Sequence, residues 1–301
     1  MTPADAPRVR VQVGGIRLSL SSLDKVMYPA TGTTKAEVLD YYARVAPVLL
    51  AHLAGRPVTR VRFPHGVGDA AFFEKNIPAG CPDWVRRAGR DPVFPLLDDL
   101  AGITYFANLN SLELHVPQWR YRGEGVDAVP GHPDRLVIDL DPGPGTGLRE
   151  CATVGLLVRD RLGGLGLETV PVTSGSKGMQ LYAVLPGGHT SDEIRDTVQQ
   201  LAKELTKQHP ERVVWKMAKE LRPGKVLLDW SQNVAAKTTV CPYSLRGRPE
   251  PTVAAPRTWD EVAAGAGGHH FAQLTMREVL RRVDGEGDLA ASLVTAHPLD
   301  P

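Results

Sequence analysis

The spacing of hydrophobic and polar positions changes several times along this chain, and each change predicts an element. Arg8–Val13 and Ile16–Leu20 alternate apolar and polar around Gly14-Gly15, the pattern of a β-hairpin. Val38, Tyr41, Tyr42, Val45, Val48, Leu49 and Leu53 then recur at helical spacing, with a Thr34/Glu37 capping box before them and Gly55 after. Short strands are predicted at Val58–Phe63 and Leu112–Val116, separated by proline-rich loops. From residue 134 the pattern becomes regular. Strands at Arg135–Leu140, Glu168–Val172, Met179–Leu185 and Lys225–Trp230 are interleaved with helices at Leu148–Leu162 and Asp192–Gln208. That order is β-α-β-β-α-β, a split ferredoxin-like unit. It predicts an α+β fold with antiparallel or mixed central sheets and flanking helices. Helices would cover one face of the core sheet, leaving the other for a substrate or a second layer. First and last strands of such a unit are usually neighbours, so Asp139 and Asp141 on one would meet Asp229 on the other.

Composition narrows the function classes. The chain has 301 residues, 42% hydrophobic and 23% charged, enough to bury a core, and its net charge of +1 excludes a uniformly basic surface. Charge is uneven, however. Residues 203–257 hold eleven Lys and Arg against five acids, and residues 258–301 three bases against seven acids. This polarity suits one face built for an anionic partner. Three dispersed cysteines without a C-x-x-C pair argue against a disulfide framework or a zinc knuckle. No apolar run approaches the roughly 18–20 residues of a membrane span, and the start MTPADAPRVR lacks the apolar centre of an export signal. A cytoplasmic protein is expected. No repeat, low-complexity tract or long linker divides the chain, so residues 1–301 read as a single domain.

The sharpest local signal is LVIDLDPGPG. Strand residues i and i+2 share a face about 6.6–6.8 Å apart, so Asp139 and Asp141 point the same way. Two carboxylates so placed repel unless a cation lies between them, and oxygen-ligated magnesium or manganese suits that position. A pair of such ions is the machinery of phosphoryl transfer. The competing reading is a strand end entering a Pro-Gly turn, where aspartate is a good turn former. SGSKG, Ser174 to Gly178, would present backbone N–H groups, a hydroxyl and an ammonium to phosphate. It lacks P-loop spacing, and a plain tight turn is the commoner origin of such a sequence.

Taken together, VIDLDPG, TSGSKG and LLDWSQN resemble the three motifs of archaeo-eukaryotic primase-type polymerases, and are more closely similar to the polymerase domain of bacterial ligase D. DKVMYPATGTTK, AAFFEKN, LELHVPQWR, CPYSLRGR and TVAAPRTWDEV extend the likeness over residues 18–264. The resemblance implies a nucleotidyltransferase: a template-dependent DNA-repair polymerase of non-homologous end joining that fills short gaps and prefers ribonucleotides. Asp139, Asp141 and Asp229 would be the catalytic carboxylates, holding two manganese or magnesium ions. Ser174, Lys177, Arg222 and Arg246 would hold the nucleoside triphosphate, His115 would touch its sugar or phosphate, and Gln232 would approach the sugar. Phe72 and Phe73 would stack on bases, and Lys25 and Lys35 would grip the 5′-phosphate of gapped or broken DNA. Without the resemblance, Phe72 and Phe73 read more readily as core and His115 as a satisfied buried histidine. The catalytic core would span about residues 112–245 and a DNA-binding part about 8–111. A separate DNA ligase, and Ku, would be partners, at the nucleoid.

Three departures from the family pattern stand out. The second motif usually continues SGSKG-x-His, whereas here the position is Gln180, which donates a hydrogen bond without carrying charge. The stretch Glu74 to His115 is expected to be shorter than in end-joining relatives, favouring gap filling over the bridging of broken ends. The chain has no space for a ligase or nuclease domain, which implies a stand-alone member. Alternatives that share these residues are a primase starting chains de novo, a non-catalytic DNA-end-binding module recruiting a ligase or Ku, and a two-metal nuclease.

Overall fold

A computed structural model describes residues 8–295, so most of the start examined above for an export signal lies outside the described residues. The N-terminal hairpin pairs β1 (Arg8–Val13) with β2 (Ile16–Ser21), and Gly14 and Gly15 adopt φ of 54° and 84° at its turn. Two consecutive positive φ values are what a two-residue hairpin loop needs, hence the glycine pair. Helix α1 (Lys35–Leu53) starts at the expected capping box. Thr34 Oγ1 accepts from the Glu37 N–H at 3.3 Å, and Glu37 Oε2 accepts from the Thr34 N–H at 2.8 Å. The apolar stripe of α1 is buried against β3 (Thr59–Arg62), α2 (Leu100–Asn108) and β5 (Ser111–Val116). β3 is flanked by β5 and by the edge strand β4 (Phe72–Glu74), all antiparallel. Tyr41 and Tyr42 are buried in this core with their hydroxyls satisfied, donating to the carbonyls of Tyr243 (2.7 Å) and Leu112 (2.5 Å).

The second sheet is the split unit. In chain order its elements are β6 (Arg135–Pro142), α3 (Leu148–Gly163), β7 (Thr169–Thr173), β8 (Met179–Val184), α4 (Ser191–Gln208), β9 (Val213–Val214) and β10 (Val226–Asp229). Each predicted element is present within two residues of its expected ends. In space the order is β9-β10-β6-β8-β7, so the first and last strands are neighbours, antiparallel and in register at Asp139 and Asp229. Leu136, Ile138 and Leu140 pack against Val154 and Val158 of α3 and Val198 and Leu205 of α4. The alternate residues Val137, Val172 and Tyr182 face away from the helices, under Val240. Val240 belongs to β11 (Thr239–Val240), which pairs with β5 of the first sheet, while β12 (Ala255–Pro256) extends the second beside β7. The helix-free face is therefore roofed at one end by a second layer, and the carboxylates Asp139 and Asp141, half-buried, occupy the other end. α5 (Trp259–Ala266) packs on α3, and α6 (Met276–Glu286) packs on α1. Beyond α6, Asp288 accepts from Tyr243 Oη at 2.6 Å and lies 3.0 Å from Nε2 of the buried His52. Among the described residues no helix is long and apolar enough to cross a membrane.

Candidate active site

Oxygen atoms of Asp139, Asp141 and Asp229 lie within 4.8 Å of one another. Strand alternation puts the first two on one face of β6, and the antiparallel register sets Asp229 directly beside Asp139. Burial, and then the charges of Asp141 and Asp229, push the Asp139 carboxyl well above its ordinary range; burial and Asp229 do the same to Asp141. Asp229 is held rigidly. Its Oδ1 accepts from the Ser231 N–H (2.8 Å) and Ser231 Oγ (2.5 Å), and its Oδ2 accepts from Gln232 Nε2 (3.0 Å). Lys237 donates in turn to Ser231 Oγ. Three converging oxygen donors with unrelieved mutual repulsion fit a hard divalent cation.

SGSKG forms the turn from β7 to β8 against the same end of β6. A Cβ at Gly178 would stand 2.0 Å from the Leu140 carbonyl oxygen, so only glycine lets the loop lie this close. Gly175 has φ 66°, and the Cβ of any other residue there would meet the side chain of Arg246 at 2.6 Å and the backbone of Val253 at 2.7 Å. The loop is fastened from outside. Gln273 spans it, accepting from the Gly175 N–H at 2.7 Å and donating to the Gly178 carbonyl at 2.9 Å. Thr252 Oγ1 donates to the Gly175 carbonyl at 2.6 Å, and Arg246 donates to the Ser174 carbonyl at 2.8 Å. Ser174 Oγ accepts from the Ser176 N–H at 3.2 Å, and Lys177 projects to the surface.

Arg246 joins the loop to the first sheet. Its Nε lies 3.2 Å from Oε2 of Glu113, whose Oε2 also lies 2.7 Å from His115 Nε2 and whose Oε1 accepts from the Gly247 N–H at 2.8 Å. Burial alone would raise the Glu113 carboxyl. The His115 hydrogen bond, the Arg246 charge and the Gly247 N–H outweigh it and hold the group at about 2. The ring of His115 meets Phe73 edge-on, centroids 6.0 Å apart. Phe72 and Phe73 are 48% and 58% exposed, which rules out a core role for them. The sequence reading missed Glu113; the available signal was an acid inside the apolar strand LELHV, two residues from His115 and so on its face.

The other expected residues are more dispersed. Arg222 is close enough to bear on Asp141 electrostatically and donates to the Met217 carbonyl at 2.5 Å. Lys25 and Lys35 do converge, but below α1, where Lys25 donates to the Pro64 carbonyl and Lys35 to the Ser21 carbonyl at 2.7 Å. Burial, and then the neighbouring Lys25 charge, lower the Lys35 ammonium to about 8. Gln180 stands in register with Asp139 on the adjacent strand.

The chain as a whole is similar to known proteins. Residues 34–290 match the family described as LigD, primase-polymerase domain. The chain belongs to the LigD primase-polymerase family. It is 46% identical, over 94% of its length, to the multifunctional non-homologous end joining DNA repair protein LigD of Mycobacterium tuberculosis, and 32% identical, over 90%, to the bifunctional LigD of Bacillus subtilis. It spans only 38% and 43% of those two relatives. Among solved structures, the polymerase domain of M. tuberculosis ligase D in complex with DNA superposes with a TM-score of 0.89 at 47% identity. That match covers 94% of this chain and 99% of the other. The α+β architecture expected from the periodicity is thus the LigD polymerase-domain fold.

Proposed function

We propose that this LigD-family chain is a template-dependent nucleotidyltransferase that fills short gaps in DNA during repair. The carrying observation is the placement of Asp139, Asp141 and Asp229 against the SGSKG turn, a carboxylate cluster beside a close-lying glycine turn with a hydroxyl and an exposed ammonium. A primer 3′-oxygen would attack the α-phosphorus of a nucleoside triphosphate, releasing pyrophosphate. Divalent cations held by the three aspartates, manganese or magnesium, supply the positive charge that stabilises this transfer. Ser174, Lys177 and the turn's N–H groups would orient the triphosphate, with Arg246 and Arg222 balancing its charge. His115 and Gln232 would set polar groups beside the sugar, which would suit a 2′-hydroxyl and hence a ribonucleotide preference. Phe72 and Phe73, exposed at the sheet edge, are free to stack on bases. Lys25 and Lys35 would receive the 5′-phosphate beyond the gap. DNA with that phosphate would be the macromolecular substrate, placing the protein at the nucleoid, and a ligase to seal the product, with Ku at broken ends, would complete the partner set.

Primer extension on gapped duplexes with and without a 5′-phosphate, using ribo- and deoxynucleotides with either metal, tests this reading. We expect faster extension of the phosphorylated gap and with ribonucleotides. Absence of templated extension under all conditions refutes it; synthesis without a primer would redirect it to de novo priming.

A further inference from the structure

A buried network of hydrogen bonds around Tyr182 runs through the core to the strand position beside Asp139. It starts at Arg135, 1% exposed, whose guanidinium stands 5.0 Å over the ring of Tyr182. Arg135 Nε donates to Gln118 Oε1 at 2.8 Å, which leaves the Gln118 amide nitrogen to donate to Thr239 Oγ1 at 2.7 Å. The Tyr182 hydroxyl lies 2.8 Å from Gln180 Oε1, 3.2 Å from the Val240 carbonyl and 3.3 Å from Thr239 Oγ1. It has one proton, and the shortest contact takes it. Thr239 Oγ1 already accepts from Gln118, which leaves it the poorest of the tyrosine's three acceptors. With Oε1 of Gln180 occupied, its NH2 group is the end left for Asp139, the residue opposite it in register. A carboxylate only accepts, so the tyrosine proton at one end of the amide and Asp139 at the other call for the same Gln180 orientation.

We propose that Tyr182 is a positioning residue of the active site, selecting the Gln180 amide orientation that presents N–H to Asp139 and so holding that carboxylate for its cation. An amide is ambiguous in a way a ring nitrogen donor is not: turned over, Gln180 would set a carbonyl oxygen against Asp139 and repel it. Tyr182 removes the ambiguity from the far side, out of contact with substrate or metal. The inference rests on the polymerase reading for the identity of the site.

The test is a double-mutant cycle on the full chain. Mn2+ binding is measured by calorimetry, kcat and KM by primer extension, and folding by thermal melting. Tyr182→Phe should weaken Mn2+ affinity about tenfold, the lower end of the effect of outer partners of metal ligands, and lower kcat by a similar factor with KM for DNA unchanged. In a Gln180→Ala background the same substitution should change neither quantity. A loss of equal size in both backgrounds, or Mn2+ affinity within twofold of wild type, overturns the proposal. If Tyr182→Phe does not fold, Tyr182→Met removes the same hydroxyl with a flexible apolar side chain. It should weaken Mn2+ binding at least threefold only when Gln180 is present, and no change overturns the proposal. A wild type that binds no Mn2+, or binds it undiminished after Asp139→Ala, overturns the polymerase site itself; a wild type that binds through Asp139 but ignores Tyr182 overturns only this inference.

Discussion

Glu113→Gln isolates the one buried acid that ties the two sheets together. Glu113 is 7% exposed, and its carboxylate is held at about 2 against an ordinary value of 4.5. A depression of that size corresponds to roughly 3 kcal/mol of folding stability at pH 7, at about 1.4 kcal/mol per pH unit. The sign follows from the direction. The folded-state value lies below the unfolded one, so the contribution is fully present above pH 4.5 and disappears as pH falls from there toward 2. Glutamine keeps the shape and one acceptor for Gly247 but removes the charge facing Arg246 and His115. Urea unfolding should therefore show the variant about 3 kcal/mol less stable at pH 7, with the gap about halved at pH 3. Primer extension should also show a raised nucleotide KM, since both Arg246 and His115 lose their anchor. A gap under about 1 kcal/mol at pH 7, or one that does not narrow with acid, would refute the assignment of Glu113 as the shared counter-ion.

Three further outcomes follow from the site. Asp141→Asn relieves a crowded cluster, so in EDTA the variant should melt above wild type, whereas added Mn2+ should raise the melting temperature of wild type alone; an unchanged melt in EDTA contradicts the repulsion. Because Lys35 titrates near 8, preference for 5′-phosphorylated over unphosphorylated gaps, read by fluorescence anisotropy, should fall between pH 7 and 9, and Lys25→Ala should move that midpoint upward. A flat profile removes Lys35 from the phosphate contact. Phe73→Ala should change unfolding stability by less than about 0.5 kcal/mol yet weaken gapped-DNA binding by about 1–3 kcal/mol, and a large stability loss would return Phe73 to a packing role.

What was readable in the chain was what depends on local spacing. The alternation in LVIDLDPG fixed which face Asp139 and Asp141 share, and the β-α-β-β-α-β order brought Asp229 beside them, because antiparallel pairing leaves few positions for the last strand. The capping box at Thr34 marked a helix start through a chemistry complete within four residues. The contacts that support the site are different in kind. Tyr182 reads as an ordinary apolar strand position in LYAVL; Gln180, two residues back, shares its face, but nothing nearby names Thr239 and Arg135 as its surroundings. Arg56, fully buried and paired with Asp134 at 2.6 Å, reads in sequence as a surface residue in a loop. Such pairs join residues scores of positions apart, and only the packing of the two sheets selects them.

The fastening of the SGSKG turn bears on how this protein can be divided. All three carboxylates and the turn itself fall between residues 112 and 245, which invites excision of that stretch as a minimal catalyst. Yet one amide, Gln273, supplies a hydrogen-bond acceptor at Gly175 and a donor at Gly178, and Thr252 secures the carbonyl between them. Both lie beyond the stretch, in a region that carries none of the reacting groups. A fragment cut at 245 would keep the carboxylates and the turn and lose both Arg246 and the clasp that shapes the loop. Chimeras and trimmed variants of this chain therefore need their downstream junction placed after α6, and libraries that vary residues 250–280 as surface sequence will be sampling the geometry of the nucleotide loop.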